Sequence, residues 1–272
     1  MKTLHPAEQL HDSIDRLVAC SPRSVSIHSS IRVGSVSYLN AAPLTFGLGS
    51  AVTMLEPSRL AAELRAGNLD VALVPLMEVL QAPADTYRIA DGVAIGAEHA
   101  VYSVYLHHDV PLAKITTVAL DPASKSSVEL ARLVLEKFYH LRPRYVAPGE
   151  RADAQLLIGD PAILYRQAHP DQNYLDLATA WREDTGLPFV FAVWALRLPA
   201  ERAVPVAEQL RAAKQIGLAS RDSIAQTPFE RKYLSEHLCY DLGYQQKKAI
   251  RLFTKMLVQT DRIADVPELT YL

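Results

Sequence analysis

The sequence predicts an α/β protein of two lobes with a ligand cleft between them. Apolar, β-branched runs alternate with helix-like segments along most of the 272 residues, a pattern typical of parallel sheets. The chain contains no Pro-rich or low-complexity linker, so two lobes would have to be joined by strands that cross between them. The cleft between two such lobes is a common place for a small ligand.

The composition is that of a globular protein and excludes several functional classes. Hydrophobic residues make up 49% of the chain, charged residues 21%, and the formal net charge is −2. This balance gives no overall attraction to nucleic acid or to a membrane surface. No apolar run reaches the roughly 18 residues of a spanning helix. Cys20 and Cys239 stand in no metal-ligand spacing, so we expect no metal.

Residues 1–30 are expected to form an N-terminal extension. Leu10, Ile14 and Leu17 are spaced as one face of a short helix, and a Ser-rich connector follows at 21–30. Because no secretory apolar segment is recognisable here, we expect a cytoplasmic protein, as a monomer or a homodimer.

The first predicted unit after this extension is a strand, a helix and a second strand. The β-branched run 31–36 predicts a short buried strand. Residues 56–67 predict a helix that Gly67 ends in the left-handed conformation. Residues 70–75 predict another buried strand, ended by proline. Such a βαβ unit implies parallel strands and a right-handed crossover.

The rest of the chain continues this alternation. Further strands are predicted at 101–106, 116–120, 153–159 and 188–195, and helices at 77–80, after Ser124, and over 206–219, 221–236 and 242–258. We expect the apolar strands Val101–Leu106 and Phe189–Trp194 to cross between the lobes. Residues 31–105 plus 196–272 would then form lobe one, and residues 106–195 lobe two.

Small polar side chains follow the first predicted strand. Ser35, Ser37 and Asn40 stand at its carboxyl end, and Pro43 then fits the first turn of a helix. Ligands of open α/β sheets bind outside the carboxyl ends of the strands. The Asn40 amide can donate to a carboxylate or to a departing hydroxyl. The alternative is a polar strand-to-helix turn without a ligand.

A second polar turn opens the helix predicted after Ser124. The free N–H groups and the dipole of a helix N-terminus favour an anion, and serine hydroxyls at 124, 126 and 127 add donors. This turn is therefore a candidate carboxylate site. The alternative is a plain N-cap with polar neighbours.

Six segments, taken in order, resemble a known family. They are Val36–Leu44 (VSYLNAAPL), Leu64–Pro75 (LRAGNLDVALVP), Val101–Ser103, Ala123–Val128 (ASKSSV), Leu157–Asp160 (LIGD) and Trp181–Ala192 (WREDTGLPFVFA). Together they resemble chorismate dehydratase of the futalosine route to menaquinone, over residues 31–258. The chain departs from the family at Ala178, where glycine is usual, and at Ala97–Ala100, where a Gly-Pro pair often precedes the Ser103 strand.

The resemblance implies a fold and an activity. The fold is of the type II periplasmic-binding-protein kind, with two α/β lobes around the ligand. The activity is that of a carbon–oxygen lyase, which converts chorismate to 3-[(1-carboxyvinyl)oxy]benzoate without cofactor or metal. The resemblance implies that Asn40 and Ser103 are the residues closest to the reacting atoms. The candidates for substrate binding are Ser37, Ser124, Ser126, Ser127, Asp160, Thr185 and Gly186.

No general base stands out in these segments. His107 and His108 read as surface residues, and Asp160 could face the cleft or cap a helix. We therefore predict a substrate-assisted elimination, in which the enolpyruvyl carboxylate of chorismate takes the ring proton. Asn40 and Ser103 would hold that geometry, although a mid-strand serine such as Ser103 often has no role.

Three rival functions are considered. The sibling 1,4-dihydroxy-6-naphthoate synthase shares the implied fold but carries a different N-terminal signature, resembling Ser-Pro-Cys-Pro-Asn-Asp, which this chain lacks. A non-catalytic binding protein for a small anionic ligand would normally carry a secretory signal or a lipoprotein cysteine, and Cys20 follows no apolar stretch of that kind. The effector domain of a transcription regulator would need a DNA-binding domain, for which thirty leading residues are too few.

Overall fold

The computed structural model describes residues 25–272 and contains two β-sheets. The helix expected in the N-terminal extension and Cys20 lie outside the described residues. Between residues 25 and 272, no helix is both long and apolar enough to cross a membrane.

The first sheet has six strands in the order β11-β4-β10-β3-β1-β2. They are β1 (Val33–Ser35), β2 (Val52–Met54), β3 (Val71–Pro75), β4 (Arg88–Ala97), β10 (Phe189–Leu196) and β11 (Thr270–Tyr271). β1 pairs in parallel with β2 and with β3, as the predicted βαβ unit requires. β10 is antiparallel to both β3 and β4 and is buried along nearly its whole length.

The second sheet has five strands in the order β7-β6-β8-β5-β9. They are β5 (Val104–His108), β6 (Thr117–Ala119), β7 (Arg144–Val146), β8 (Ala154–Ile158) and β9 (Asn173–Asp176). β6 is parallel to β7 and β8, whereas β5 is antiparallel to β8 and β9. Each sheet is therefore mixed, with a parallel part that is long enough to have a defined carboxyl edge.

Helices cover both sheets. They are α1 (Ala42–Thr45), α2 (Pro57–Ala66), α3 (Leu76–Leu80), α4 (Lys125–Leu133), α5 (Gly159–Ala168), α6 (Leu177–Thr185), α7 (Ala200–Ala219), α8 (Arg221–Ile224), α9 (Pro228–Lys232) and α10 (Tyr244–Gln259). Two of them continue into a single π turn: α4 into Val134–Phe138 and α9 into Tyr233–His237. The predicted stop of α2 is confirmed, since Gly67 has φ 77°.

Neither strand expected to cross between the lobes pairs in both sheets. Val104–His108 pairs only with β8 and β9, and Phe189–Leu196 only with β3 and β4. The prediction that residues 106–195 form lobe two therefore assigns β10 to the wrong sheet. Strand burial alone could not reveal this, because a fully apolar strand fits the centre of either sheet. We propose that the second lobe ends near Gly186, before β10.

Three further predictions differ from the structure. The strand predicted at 101–106 begins only at Val104, because the preceding backbone turns sharply. The predicted helix 221–236 is broken, since Thr227 and Pro228 start a new helix in which the Thr227 hydroxyl accepts the Glu230 N–H. Helix α7 begins before Pro205 rather than after it.

The aromatic residues near β10 form core. Trp181 of α6, Phe189 of β10 and Phe253 of α10 are fully buried and meet edge to face, with ring centroids 5.0–6.0 Å apart. Because α6 covers the second sheet and β10 belongs to the first, this cluster joins the two lobes through apolar packing.

Helix α7 fixes the segment after β1 by a close backbone approach. Gly217 lies against Pro43, and a Cβ at residue 217 would overlap the Pro43 carbonyl oxygen. Gly47 makes a similar approach to the backbone of Ala213, with a would-be Cβ 2.8 Å from its oxygen. The short helix that follows Asn40 is thereby held against α7 at two points.

Gly217→Ala should lower the free energy of unfolding by about 2 kcal/mol or more, because the added methyl group forces α7 away from Pro43. Helix propensity alone predicts the opposite sign, since alanine in a helix is favoured over glycine by about 1 kcal/mol. Urea denaturation of the wild type and the variant measures the difference. A variant as stable as the wild type would contradict the close approach.

Candidate active site

A cavity of about 70 Å³ lies between the two sheets, where strands of both end. Pro75 ends β3, Ile158 ends β8, and Ser124 follows β6, so the cavity meets the carboxyl edge of each parallel segment. Its polar lining consists of Tyr38, Asn40, Ser124 and Ser127. The remaining lining is apolar, and no charged side chain from the described part of the chain takes part in it.

The size of this cavity indicates that the lobes are closed. About 70 Å³ holds roughly two water molecules at about 30 Å³ each. Small-molecule sites measure roughly 300–1,000 Å³, so a metabolite can enter only if the lobes move apart. Two grooves of about 560 Å³ lie elsewhere, beside Arg132 and beside Tyr87. We favour the smaller cavity because strands of both sheets end at it, as in other α/β ligand sites.

Asn40 and Ser103 meet at the hydroxyl of Tyr233. Asn40 lies in a 3-10 turn, Leu39–Ala41, directly after β1. The Tyr233 hydroxyl donates to Ser103 Oγ at 2.7 Å, and the Asn40 side chain hydrogen bonds to the same hydroxyl. The buried Oδ1 of Asn40 has no partner within residues 25–272, so its amide nitrogen is the group that faces Tyr233. The two predicted catalytic residues therefore belong to one cluster.

The environment of Tyr233 keeps its hydroxyl protonated. The residue is completely buried, and burial raises the pKa of the phenol above its ordinary value. The carboxylates of Asp160 and Asp176 raise this pKa further, against the lowering by the hydrogen bonds with Ser103 and Asn40.

A strained turn places Ser103 at the entry to β5. Tyr102 has φ 67°, in the left-handed region that non-glycine residues rarely adopt. The Asp176 carboxylate accepts the N–H groups of Tyr102 at 2.8 Å and Val101 at 3.2 Å. Because these two amides bond to Asp176, they are not part of the ladder of the second sheet. The same carboxylate caps α6, so one buried side chain organises both elements.

Asp160 links the second lobe to the turn that carries Asn40. It lies in the first turn of α5, and both of its carboxylate oxygens accept the Leu39 N–H at 3.1 Å. Burial raises the Asp160 pKa to about 7, and the negative charge of Glu230 adds to the rise, while the Leu39 hydrogen bond opposes it. Tyr38 packs beside this link, since a Cβ at Gly159 would lie 3.2 Å from its ring.

The serine side chains at the start of α4 make two different kinds of contact. Ser124 is the N-cap, as predicted, and its Oγ lies 3.0 Å from Ser127 Oγ; both side chains line the cavity. Ser126 points elsewhere: its hydroxyl accepts the Met77 N–H at 3.0 Å and joins α4 to α3. Lys125 also points away and pairs with the buried Glu78 at 3.4 Å.

Ser103, Ser126 and Asp160 are not part of the cavity lining, and three further predicted binding residues also do not line it. Ser37 is buried between the lining residues Val36 and Tyr38. The Thr185 hydroxyl donates to the Trp181 carbonyl and accepts the Leu187 N–H, which ends α6. Gly186 adopts φ 69° as the C-cap of that helix. Both residues therefore serve to end α6.

Sequence reasoning missed Tyr233 and the role of Asp176. Tyr233 lies 130 residues from Ser103, in a helical segment whose sequence carries no signal for a site. Asp176 could have been found, because an aspartate directly before a helix is a frequent N-cap. In the described part of the chain, no group of three or more His, Cys, Asp or Glu side chains is arranged to hold a metal ion.

Comparisons with known proteins agree with this architecture. A family model described as menaquinone biosynthesis matches residues 31–259. A protein of Thermus thermophilus named chorismate dehydratase is 29% identical over 254 residues, which cover 84% of this chain and 93% of that protein.

Two solved structures share the fold. A protein from Archaeoglobus fulgidus superimposes with a TM-score of 0.63 at 18% identity, covering 86% of this chain and 98% of the other. The periplasmic aliphatic sulphonate binding protein SsuA from Escherichia coli gives a TM-score of 0.60 at 15% identity, with 91% and 96% covered. These likenesses confirm the predicted periplasmic-binding-protein-like fold of two α/β lobes.

Asp160→Asn should gain stability relative to the wild type as the pH rises. The Asp160 pKa is about 7 in the folded protein and near 3.8 in its ordinary state, so folding takes up a proton between these values. The wild type therefore loses free energy of unfolding as pH rises through this window, whereas a neutral amide does not. We expect the free energy of unfolding of Asp160→Asn, relative to that of the wild type, to rise by about 1 kcal/mol or more between pH 4 and pH 8.

Urea denaturation at pH 4, 6 and 8 measures this difference. Asp171→Asn, at an exposed position, is the matched control and should show no such trend. A constant difference between Asp160→Asn and the wild type at all three pH values would refute the buried, proton-binding carboxyl.

Proposed function

Because this chain belongs to the menaquinone biosynthesis family, we propose that it is a chorismate dehydratase of the futalosine route. The proposed reaction removes water from chorismate and gives 3-[(1-carboxyvinyl)oxy]benzoate. The observation that carries the proposal is the meeting of Asn40 and Ser103 at one buried hydroxyl beside the inter-lobe cavity. In this proposal the substrate occupies that cavity after the lobes have opened and closed around it.

The chemistry of the elimination sets what the site has to supply. A ring C–H bond breaks and its electrons enter the ring, while the neighbouring C–O bond breaks and its pair leaves with oxygen. The proton and the hydroxide are released together as water, and the ring becomes aromatic. The bonds and electrons balance without an oxidant or a reductant, so we propose that no cofactor or metal takes part. The enzyme has to orient the substrate and assist the departing hydroxyl.

The proton acceptor in this proposal is the substrate's own enolpyruvyl carboxylate. Asp160 is the buried carboxyl nearest the Asn40 turn, but both of its oxygens are directed to the Leu39 N–H. The cavity lining itself is uncharged. A substrate carboxylate held in such a lining is poorly hydrated and therefore a stronger base than in water. Asn40 and Ser103 would hold its geometry and contact the leaving hydroxyl.

The ring carboxylate is proposed to bind at the N-terminus of α4. Ser124 and Ser127 present two hydroxyl groups there, and both face the cavity. The first N–H groups of α4 and its dipole add favourable interactions with an anion. This arrangement supplies positive potential without a cation in the lining. The cytoplasmic location, and the state as monomer or homodimer, stay predictions.

The main alternative is a protein that binds a small anion without converting it. The fold favours this alternative, because the E. coli protein with the same fold is a sulphonate binding protein. The sibling enzyme 1,4-dihydroxy-6-naphthoate synthase is a second alternative. Turnover of chorismate separates the proposed function from both alternatives.

Incubation of the purified protein with chorismate should produce the substituted benzoate, measured by chromatography and ultraviolet absorbance. Asn40→Ala and Ser103→Ala should each lower kcat by about a hundredfold, since each removes a polar group that contacts the reacting centre. Asn173→Ala and Ser223→Ala, at exposed positions, are the matched controls and should retain the parent rate. Binding of chorismate without product would replace this proposal by the binding-protein alternative.

Ser127→Ala should raise KM by about tenfold with a smaller change in kcat, because its hydroxyl contacts the carboxylate in ground state and transition state alike. Ser126→Ala is a matched comparison at the same turn. Its hydroxyl bonds to Met77, so it should lower stability rather than raise KM. Equal KM values for Ser127→Ala and the wild type would place the carboxylate elsewhere.

A further inference from the structure

Tyr233 is buried between the two residues that carry the proposed chemistry. We propose that Tyr233 is a positioning residue, whose hydroxyl fixes which atoms of Asn40 and Ser103 are free to contact the substrate. This inference rests on the proposed function and deepens it. It depends on the direction of two hydrogen bonds among these three side chains.

The hydroxyl of Tyr233 has one proton, which is already used in a hydrogen bond. It is donated to Ser103 Oγ at 2.7 Å. The lone pairs of the same oxygen face the Asn40 amide, whose nitrogen is a donor only. The hydrogen bonds therefore run in one direction, from Asn40 to Tyr233 and from Tyr233 to Ser103.

With this direction, one hydrogen-bond donor on Ser103 and one acceptor on Asn40 remain unused. Ser103 Oγ accepts from Tyr233, so its own proton is free to be donated. Asn40 Oδ1 is a buried acceptor without a partner anywhere in the part of the chain that is described, and Asn40 lines the cavity. A hydroxyl group on the substrate needs such a pair: an acceptor for its proton and a donor for its oxygen.

The pair matches the leaving group of the proposed elimination. As the C–O bond breaks, negative charge develops on the hydroxyl oxygen, and a donor there stabilises it. Ser103 would supply that donor, and Asn40 Oδ1 would hold the hydroxyl proton. Without the Tyr233 hydroxyl, the Ser103 proton and the Asn40 amide could turn to other partners.

The segment that carries Tyr233 packs against the turn that precedes Ser103. Tyr233 begins the π turn Tyr233–His237, an arrangement that recurs at functional sites. Phe229 and His237 lie on either side of it and pack on Tyr102 at 4.9 and 5.5 Å. His237 Nδ1 also lies 2.8 Å from the Ala100 carbonyl. This face therefore supports the same strained turn that Asp176 holds from the other side.

Steady-state kinetics of Tyr233→Phe test the inference, because this change removes only the hydroxyl. We expect kcat to fall by about tenfold or more and KM to stay within about twofold, since the carboxylate site is untouched. Tyr240→Phe is the matched control. Tyr240 is also buried, and its hydroxyl has no partner in the described part of the chain, so the parent kcat should persist. Thermal melting of each variant reports on folding.

A double-mutant cycle then asks whether Tyr233 acts through Ser103. In a Ser103→Ala background, Tyr233→Phe should lower kcat by a smaller factor than it does in the wild type, because one of the two groups it orients is already gone. Full, multiplicative losses in the double variant would overturn the inference, as would a parent kcat in Tyr233→Phe. A wild-type protein without turnover would overturn the proposed function and this inference with it, so the two failures are distinguishable.

Discussion

The hydrogen bond from the Tyr233 hydroxyl to Ser103 is the interaction on which the candidate site depends. It brings together three distant parts of the chain: the turn after β1, the entry to the second sheet and the π turn after α9. Tyr233 and Ser103 are fully buried there, and a buried hydroxyl without partners is costly. The Tyr233 hydroxyl thus links the turn that carries Asn40, in the first lobe, to Ser103 at the entry to the second sheet.

Buried carboxylates near the cavity make structural contacts and are not part of the cavity lining. Asp160 accepts the Leu39 N–H, Asp176 accepts the N–H groups of the Tyr102 turn, and Glu78 pairs with Arg65 at the rim of the lobes. Each negative charge is thus used in a structural contact. The cavity lining itself is uncharged, so a carboxylate of the proposed substrate would be a stronger base there than in water.

The fold class and the polar turn after β1 could be predicted from local sequence. The strand–helix–strand unit at 31–75 and the serine N-cap of α4 follow from patterns within about ten residues. The sheet to which β10 belongs and the neighbours of Ser103 could not be predicted in this way. Both depend on contacts between segments far apart in the chain. The local sequence of an apolar strand, or of a single tyrosine, does not identify the residues that it contacts.

The positions of other predicted binding residues could not be predicted for a related reason. Thr185 and Gly186 have residue types that occur in ligand loops and at helix ends alike, and in the structure they end α6. Ser126 likewise looks equivalent to Ser124 and Ser127 in sequence. The helical rotation of about 100° per residue turns its hydroxyl toward Met77 instead.

A crystal structure of the protein with 3-[(1-carboxyvinyl)oxy]benzoate would show where the proposed product binds. We expect the ligand between the two sheets, with its ring carboxylate at Ser124 and Ser127 and its ring beside Asn40 and Ser103. A ligand bound instead in the outer groove beside Arg132, or in the one beside Tyr87, would contradict this expectation.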